Sequence, residues 1–83
     1  MKLVYFAWVR ERIGKPEEQV TLPESLVTIG DLIGWLQTRG EEYAHAFEKA
    51  PLIRVAIDKR HVKHDAALAG AAEIAFFPPM TGG

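Results

Sequence analysis

Eighty-three residues, 48% of them apolar and eight aromatic, can fill one compact core but not that core plus a large enclosed active site. Ten Lys/Arg against eleven Asp/Glu leave a net charge of −1, so there is no basic excess to neutralise a phosphate backbone and nucleic acid is not an expected partner. Cysteine is absent, which excludes disulfides and thiol chemistry on this chain; sulfur that it handled would have to come from outside.

In chain order, "KLVYFAWV" (2–9) is rich in β-branched and aromatic residues and apolar on both alternating faces. That pattern predicts a strand covered on both sides, in the middle of a sheet. The run gives way at once to Arg10, Glu11 and Arg12, lacks a small-residue cleavage site and is too short to span a bilayer. The chain is therefore expected to be cytoplasmic, with no membrane partner. "RERIGKPEE", with Gly14 and Pro16, reads as a turn, and "EQVTL" (18–22) as a second strand forming a hairpin with the first.

"VTIGDLIGWLQTRG" predicts the main helix. Thr28 is its N-cap, Asp31 completes a shortened capping box, and Val27 with Leu32 are placed for a hydrophobic staple. Ile29, Leu32, Ile33 and Leu36 make one apolar face. Gly40 is expected as a left-handed C-cap, while Gly30 and Gly34 lie four apart on one face that another backbone could approach. "EEYAHAFEKA" predicts a short second helix with Tyr43, Ala46 and Phe47 inward, ended by Pro51. "LIRVAI" (52–57) is a third strand, "DKRHVKHDAAL" a polar hairpin with Val62 in a brief strand, and "EIAFF" (73–77) the last strand, after a break at Gly70. A hairpin feeding a helix, with later strands returning beside the first, predicts an α+β fold of the ubiquitin-like β-grasp type. It should have a mixed sheet of four to five strands, the main helix on one face and a flexible C-terminal Gly-Gly tail.

The chain closes on "AFFPPMTGG" (75–83). Phe76 and Phe77 must face opposite sides of their strand: Phe76 joins Ile74 towards the core, and Phe77 faces outward as a candidate partner anchor. Pro78 and Pro79 supply no N–H, so the strand should stop there, dividing the chain into a domain (1–77) and a projecting tail (78–83). A polyproline-like stem could carry Pro78, Pro79, Met80, Thr81, Gly82 and Gly83 outward by on the order of 18 Å. Gly82 and Gly83 form the thinnest possible tip, able to thread a tunnel and present a carboxylate. That carboxylate is ionised and unreactive at neutral pH and needs activation, for example as an acyl-adenylate.

This tail resembles the C-terminal signature of the sulfur-carrier subunits of molybdopterin synthase. "LVYFAWVRERIG", "VTIGDLIGWL" and "VAIDKRHV" extend the resemblance over nearly the whole chain. The turn "AGAAE" departs from the family's frequent Asp-Gly-Asp-Glu, which bears on turn geometry rather than on the tail, and Asp58 stands where asparagine is common. The resemblance implies that a ubiquitin-activating-type adenylating enzyme consumes ATP to attach AMP to Gly83. A persulfide sulfur then displaces AMP to leave a C-terminal thiocarboxylate. It implies further that the tail enters the large subunit of molybdopterin synthase, where sulfur passes to cyclic pyranopterin monophosphate to build the dithiolene. On this reading the chain binds no cofactor tightly and is not catalytic alone. The alternatives are a carrier for thiazole or tRNA thiolation, against which "FFPP" stands, and a β-grasp interaction module whose tail does no chemistry.

No other chemistry assembles from these residues. There is no Ser-His-Asp set, Walker loop, dinucleotide fingerprint or pair of catalytic carboxylates. His61 and His64 sit among Lys59, Arg60 and Lys63, which would repel a cation, so no metal site is expected and a solvated loop is the better reading. Arg10, Glu11 and Arg12 are expected in an exposed turn.

Overall fold

The computed structural model describes residues 1–79; Met80, Thr81, Gly82 and Gly83, the outer part of the predicted tail, lie outside the described residues. In chain order the elements are β1 (Lys2–Tyr5), α1 (Ala7–Ile13), β2 (Glu17–Gln19), α2 (Ile29–Gln37), α3 (Glu41–Ala46), a 3₁₀ turn at Ala50–Leu52, β3 (Arg54–Ile57), β4 (Arg60–Val62) and β5 (Glu73–Phe77). The five strands form one mixed sheet in the order β2-β1-β5-β3-β4. Only the central β1–β5 pair is parallel; the other three pairs are antiparallel.

Alternation along the strands gives the sheet one buried face. Tyr5, Phe76 and Val55 are successive neighbours across β1, β5 and β3, and all three are at most 1% exposed. They join Val9 and Ile13 from α1, the Ile29, Leu32, Ile33 and Leu36 stripe of α2, and Tyr43, Ala46 and Phe47 in and just after α3 in a single core. Phe76 is its centre. The Phe47 ring meets it edge-on at 5.2 Å and the Tyr5 ring stacks on it at 6.0 Å. Burying a side chain of this size contributes about 2–3 kcal/mol.

The β-grasp fold is as the sequence predicts, with differences in detail. The first strand stops at Tyr5 rather than Val9, and the following residues turn into α1. The turn is made at Ala7, whose φ of 51° lies in the left-handed region. Val9 and Ile13, four apart, then share the buried face of the helix. Gly14, read as part of a turn, is the left-handed cap of α1, and its N–H donates to the Arg10 carbonyl at 2.8 Å. β2 is shorter than expected and begins at Glu17, and β1 and β2 pair across an intervening helix rather than a tight turn. β3 begins at Arg54, because Leu52 belongs to the 3₁₀ turn around Pro51.

The start of α2 matches its sequence. The Thr28 hydroxyl accepts from the Asp31 N–H, and the Asp31 carboxylate accepts from the Thr28 and Val27 N–H groups. These bonds, led by the one from Thr28, hold the Asp31 carboxyl below its ordinary range. Val27 stays 60% exposed, so it makes no staple over buried Leu32. Gly40 does not cap α2, which ends at Gln37 with Thr38 as its cap; it precedes α3 instead. Of the two helix glycines, Gly30 lies against the 64–68 loop and donates to the His64 carbonyl at 2.8 Å, whereas a Cβ on Gly34 would meet nothing within 4 Å.

Candidate functional site

The tail leaves from the middle of the sheet, because β5 runs between β1 and β3. Its end is held on both flanks. On one side the Phe6 N–H donates to the Phe76 carbonyl at 3.0 Å; on the other, Phe77 is paired with Arg54. Pro78 and Pro79 follow, half-buried and outside the strand, and without N–H groups they cannot extend the ladder. The chain is thus held within the sheet up to Phe77.

Phe76 and Phe77 part as alternation requires: Phe76 is fully buried and Phe77 lies on the opposite face. Phe77 is not bare, however. It is half-buried, with the His61 ring edge-on at 5.2 Å. The more exposed aromatic at this exit is Phe6, at 47%. The apolar run predicts Phe6 inside a strand covered on both faces, whereas it stands exposed just after β1. The available signal was its phase, since Phe6 falls out of step with buried Leu3 and Tyr5. Phe6 and Phe77 therefore flank the point where the tail departs.

Beneath the exit, one carboxylate ties four segments together. Glu18 on β2 accepts hydrogen bonds from the Tyr5 hydroxyl of β1 (2.7 Å), the Tyr43 hydroxyl of α3 (2.6 Å) and the Arg39 guanidinium after α2 (3.0 Å). The Lys15 ammonium lies 3.7 Å away, and the Glu18 side chain is only 10% exposed. Burial pushes the Glu18 carboxyl up, but the bonds from Tyr43, Tyr5 and Arg39 outweigh it and hold the group below its ordinary range. Burial, with the hydrogen bond to Glu18, raises both Tyr5 and Tyr43. Since the Tyr5 ring stacks on Phe76, this network fixes the strand beside which the tail emerges.

The remaining sequence candidates are dispersed. Arg10 and Glu11 are exposed as expected, but on a helix rather than a turn. Arg12 lies over the Trp8 ring at 4.4 Å, donates to the His45 carbonyl and is 3.7 Å from Glu48, which explains why it is not free. His61 is beside Phe77, whereas His64 donates through Nε2 to the Ile53 carbonyl at 2.8 Å and so has a fixed place rather than a solvated one. The "AGAAE" turn has its own anchor: the Asp58 carboxylate accepts from the Ala72 and Glu73 N–H groups at 3.0 and 2.9 Å. Met80, Thr81, Gly82 and Gly83, the threading and reactive residues of the sequence reading, lie outside the described residues. Among the described residues no helix is long and apolar enough to cross a membrane.

A five-stranded mixed sheet with helices packed on it, its last strand ending in the middle of the sheet before Pro78 and Pro79, defines a ubiquitin-like β-grasp protein. The family is more specific: the model of the ThiS family matches residues 3–83, and the chain belongs to that family. It is 35% identical to the molybdopterin synthase sulfur carrier subunit of Haemophilus influenzae and 32% identical to that of Escherichia coli, in each case over the whole chain and 99% of the relative. Among solved structures it resembles a putative molybdopterin converting factor, subunit 1, from Pyrococcus furiosus. The TM-score is 0.72 at 29% identity, covering 94% of both chains.

Proposed function

We propose that this chain is the sulfur carrier of a molybdopterin synthase, acting through the carboxyl group of Gly83. An adenylating enzyme of the ubiquitin-activating type converts that carboxylate to an acyl-adenylate at the expense of ATP. A persulfide sulfur attacks the acyl carbon and displaces AMP. Cleavage of the resulting S–S bond by a thiol leaves the thiocarboxylate, so no cysteine is needed on the carrier itself. The tail then carries the sulfur into the large subunit, where it passes to cyclic pyranopterin monophosphate and water supplies the oxygen that regenerates the carboxylate.

The observation that carries this reading is the end of β5. The strand is held by the β1 side up to Phe76 and by β3 up to Phe77, is followed at once by two prolines, and has exposed Phe6 and half-buried Phe77 at its end. Such a mount aims a tail into a partner, and aromatic side chains at the rim are common anchors of protein interfaces. The full-length likeness to sulfur carrier subunits supports the chemistry assigned to the tip.

The test is to add one residue after Gly83 and assay cofactor synthesis in cells that lack the native protein. Folding should be unchanged and synthesis lost, because the reactive carboxyl has been moved. An extended protein that restores synthesis would refute the reading.

A further inference from the structure

One feature of the surface lies outside the tail and its two aromatic neighbours. Residues 54–64 hold Arg54, Lys59, Arg60 and Lys63 against the single carboxylate of Asp58, a local charge of +3 in a chain whose net charge is −1. Asp58 is directed to the amides of Ala72 and Glu73. The ion pairs among the described residues use Lys2, Arg12, Lys15 and Arg39, and none uses these four cations. All four are exposed.

Two of them, Arg54 and Lys63, line a trough. Two adjoining clefts of about 260 and 320 Å³ run along β3 and the edge strand β4, and Arg54, Val62 and Lys63 line both. His61 lines one cleft and His64 the other. The end at His61 and Arg54 is the Phe77 end, since Arg54 pairs with Phe77 across the ladder and His61 touches its ring. The trough is therefore continuous with the rim from which the tail departs.

We infer that this trough docks an acidic segment of the large subunit of the synthase. The inference rests on the sulfur-carrier reading and adds to it the chemistry of the partner's surface. Two arguments support an extended acidic chain rather than a small anion. Arg54 and Lys63 line an open trough on either side of apolar Val62, which suits alternating carboxylate and apolar side chains. Separately, a stable subunit contact covers roughly 800 Å² on each partner, and the trough extends the rim at Phe77 without a break. Unpaired charge of one sign also speeds the encounter with a partner of the other sign.

The test titrates the full chain into the large subunit from the same organism by calorimetry, at about 50 and about 300 mM salt, because screening separates charge from apolar contact. Wild-type affinity should fall as salt rises. The Arg54→Glu/Lys63→Glu variant should bind at least tenfold more weakly with a flattened salt response, and Arg54→Gln/Lys63→Gln should lie between the two. The neutral pair keeps the test open if charge reversal impairs folding. Thiocarboxylate formation at Gly83 by saturating adenylating enzyme should be retained. Wild-type affinity in both variants would overturn the inference and leave the carrier reading intact, as would dependence on the pair seen only with the adenylating enzyme. Failure of the wild-type chain to bind the large subunit at all would overturn both.

Discussion

The backbone N–H of Phe6 donates to the carbonyl of Phe76 at 3.0 Å, which joins the β1–α1 corner to the last strand one residue before the exit aromatic Phe77. This bond holds exposed Phe6 beside the strand end that carries half-buried Phe77. Replacing either ring by alanine should leave thermal unfolding nearly unchanged while weakening large-subunit binding about tenfold or more, as truncation of an interface anchor does. Calorimetry on Phe6→Ala and Phe77→Ala checks this, and wild-type affinity in both would remove the aromatic rim from the account.

Phe76, one residue earlier, should behave in the opposite way. It is fully buried between the Tyr5 and Phe47 rings, so Phe76→Ala should cost about 3–5 kcal/mol. That is a large share of the stability of a domain this small. Denaturant unfolding of Phe76→Ala beside Phe77→Ala gives the comparison directly.

The Glu18 network sets a pH window for stability. Glu18 is held below its ordinary value of 4.5, so the unfolded chain takes up a proton there while the folded chain does not. The stability it contributes is present above that pH and lost as the pH falls through the folded value. Tyr5 and Tyr43 are raised above their ordinary 10.0, so their contribution is present below pH 10 and is lost as the pH rises past it. Thermal unfolding should therefore plateau between these limits. Glu18→Gln should lower the plateau and flatten the acid limb; an acid limb as steep as wild type would assign acid sensitivity to other groups.

Gly34 is the clearest site for stabilisation. It is exposed in the middle of α2 with open space where a Cβ would sit, so Gly34→Ala should add about 1 kcal/mol by helix propensity alone. In a domain of this size that raises the melting temperature by about 4–8 °C. A lower melting temperature would mean that Gly34 serves a contact absent from the isolated chain.

What could be read from the sequence was what is decided locally. The Thr28–Asp31 capping box and the stripe from Ile29 to Leu36 depend on neighbours within two turns, and they form as their residue types dictate. The opposite burial of Phe76 and Phe77 follows from strand geometry alone. The first strand was overextended because Phe6 to Val9 continue an apolar run, and only the left-handed turn at Ala7 separates strand from helix. Gly14 and the Val9–Ile13 spacing were the available signals for α1, masked by the charge between them. The Glu18 network was not legible at all. It joins residues 13, 21 and 25 positions apart, and nothing in "EQVTL" distinguishes a carboxylate met by two tyrosines from one in water. The same holds for the pairing of His61 with Phe77, which exists only once β4 is placed two strands from β5.

The width of the tip is testable apart from its chemistry. Gly82→Val adds a branched side chain next to Gly83, the residue proposed to carry the sulfur, where a narrow channel would have to accept it. Adenylation should fall by at least tenfold while folding is unaffected. Normal adenylation of this variant would contradict threading.

The most direct test of the central claim is the intact mass of the untagged chain after incubation with ATP, the adenylating enzyme of the same organism and a sulfur source. One oxygen should be replaced by one sulfur, with the change mapping to the peptide that ends in Gly83. An unchanged mass, with a known carrier converted in parallel, would contradict the assignment of this chain as a sulfur carrier.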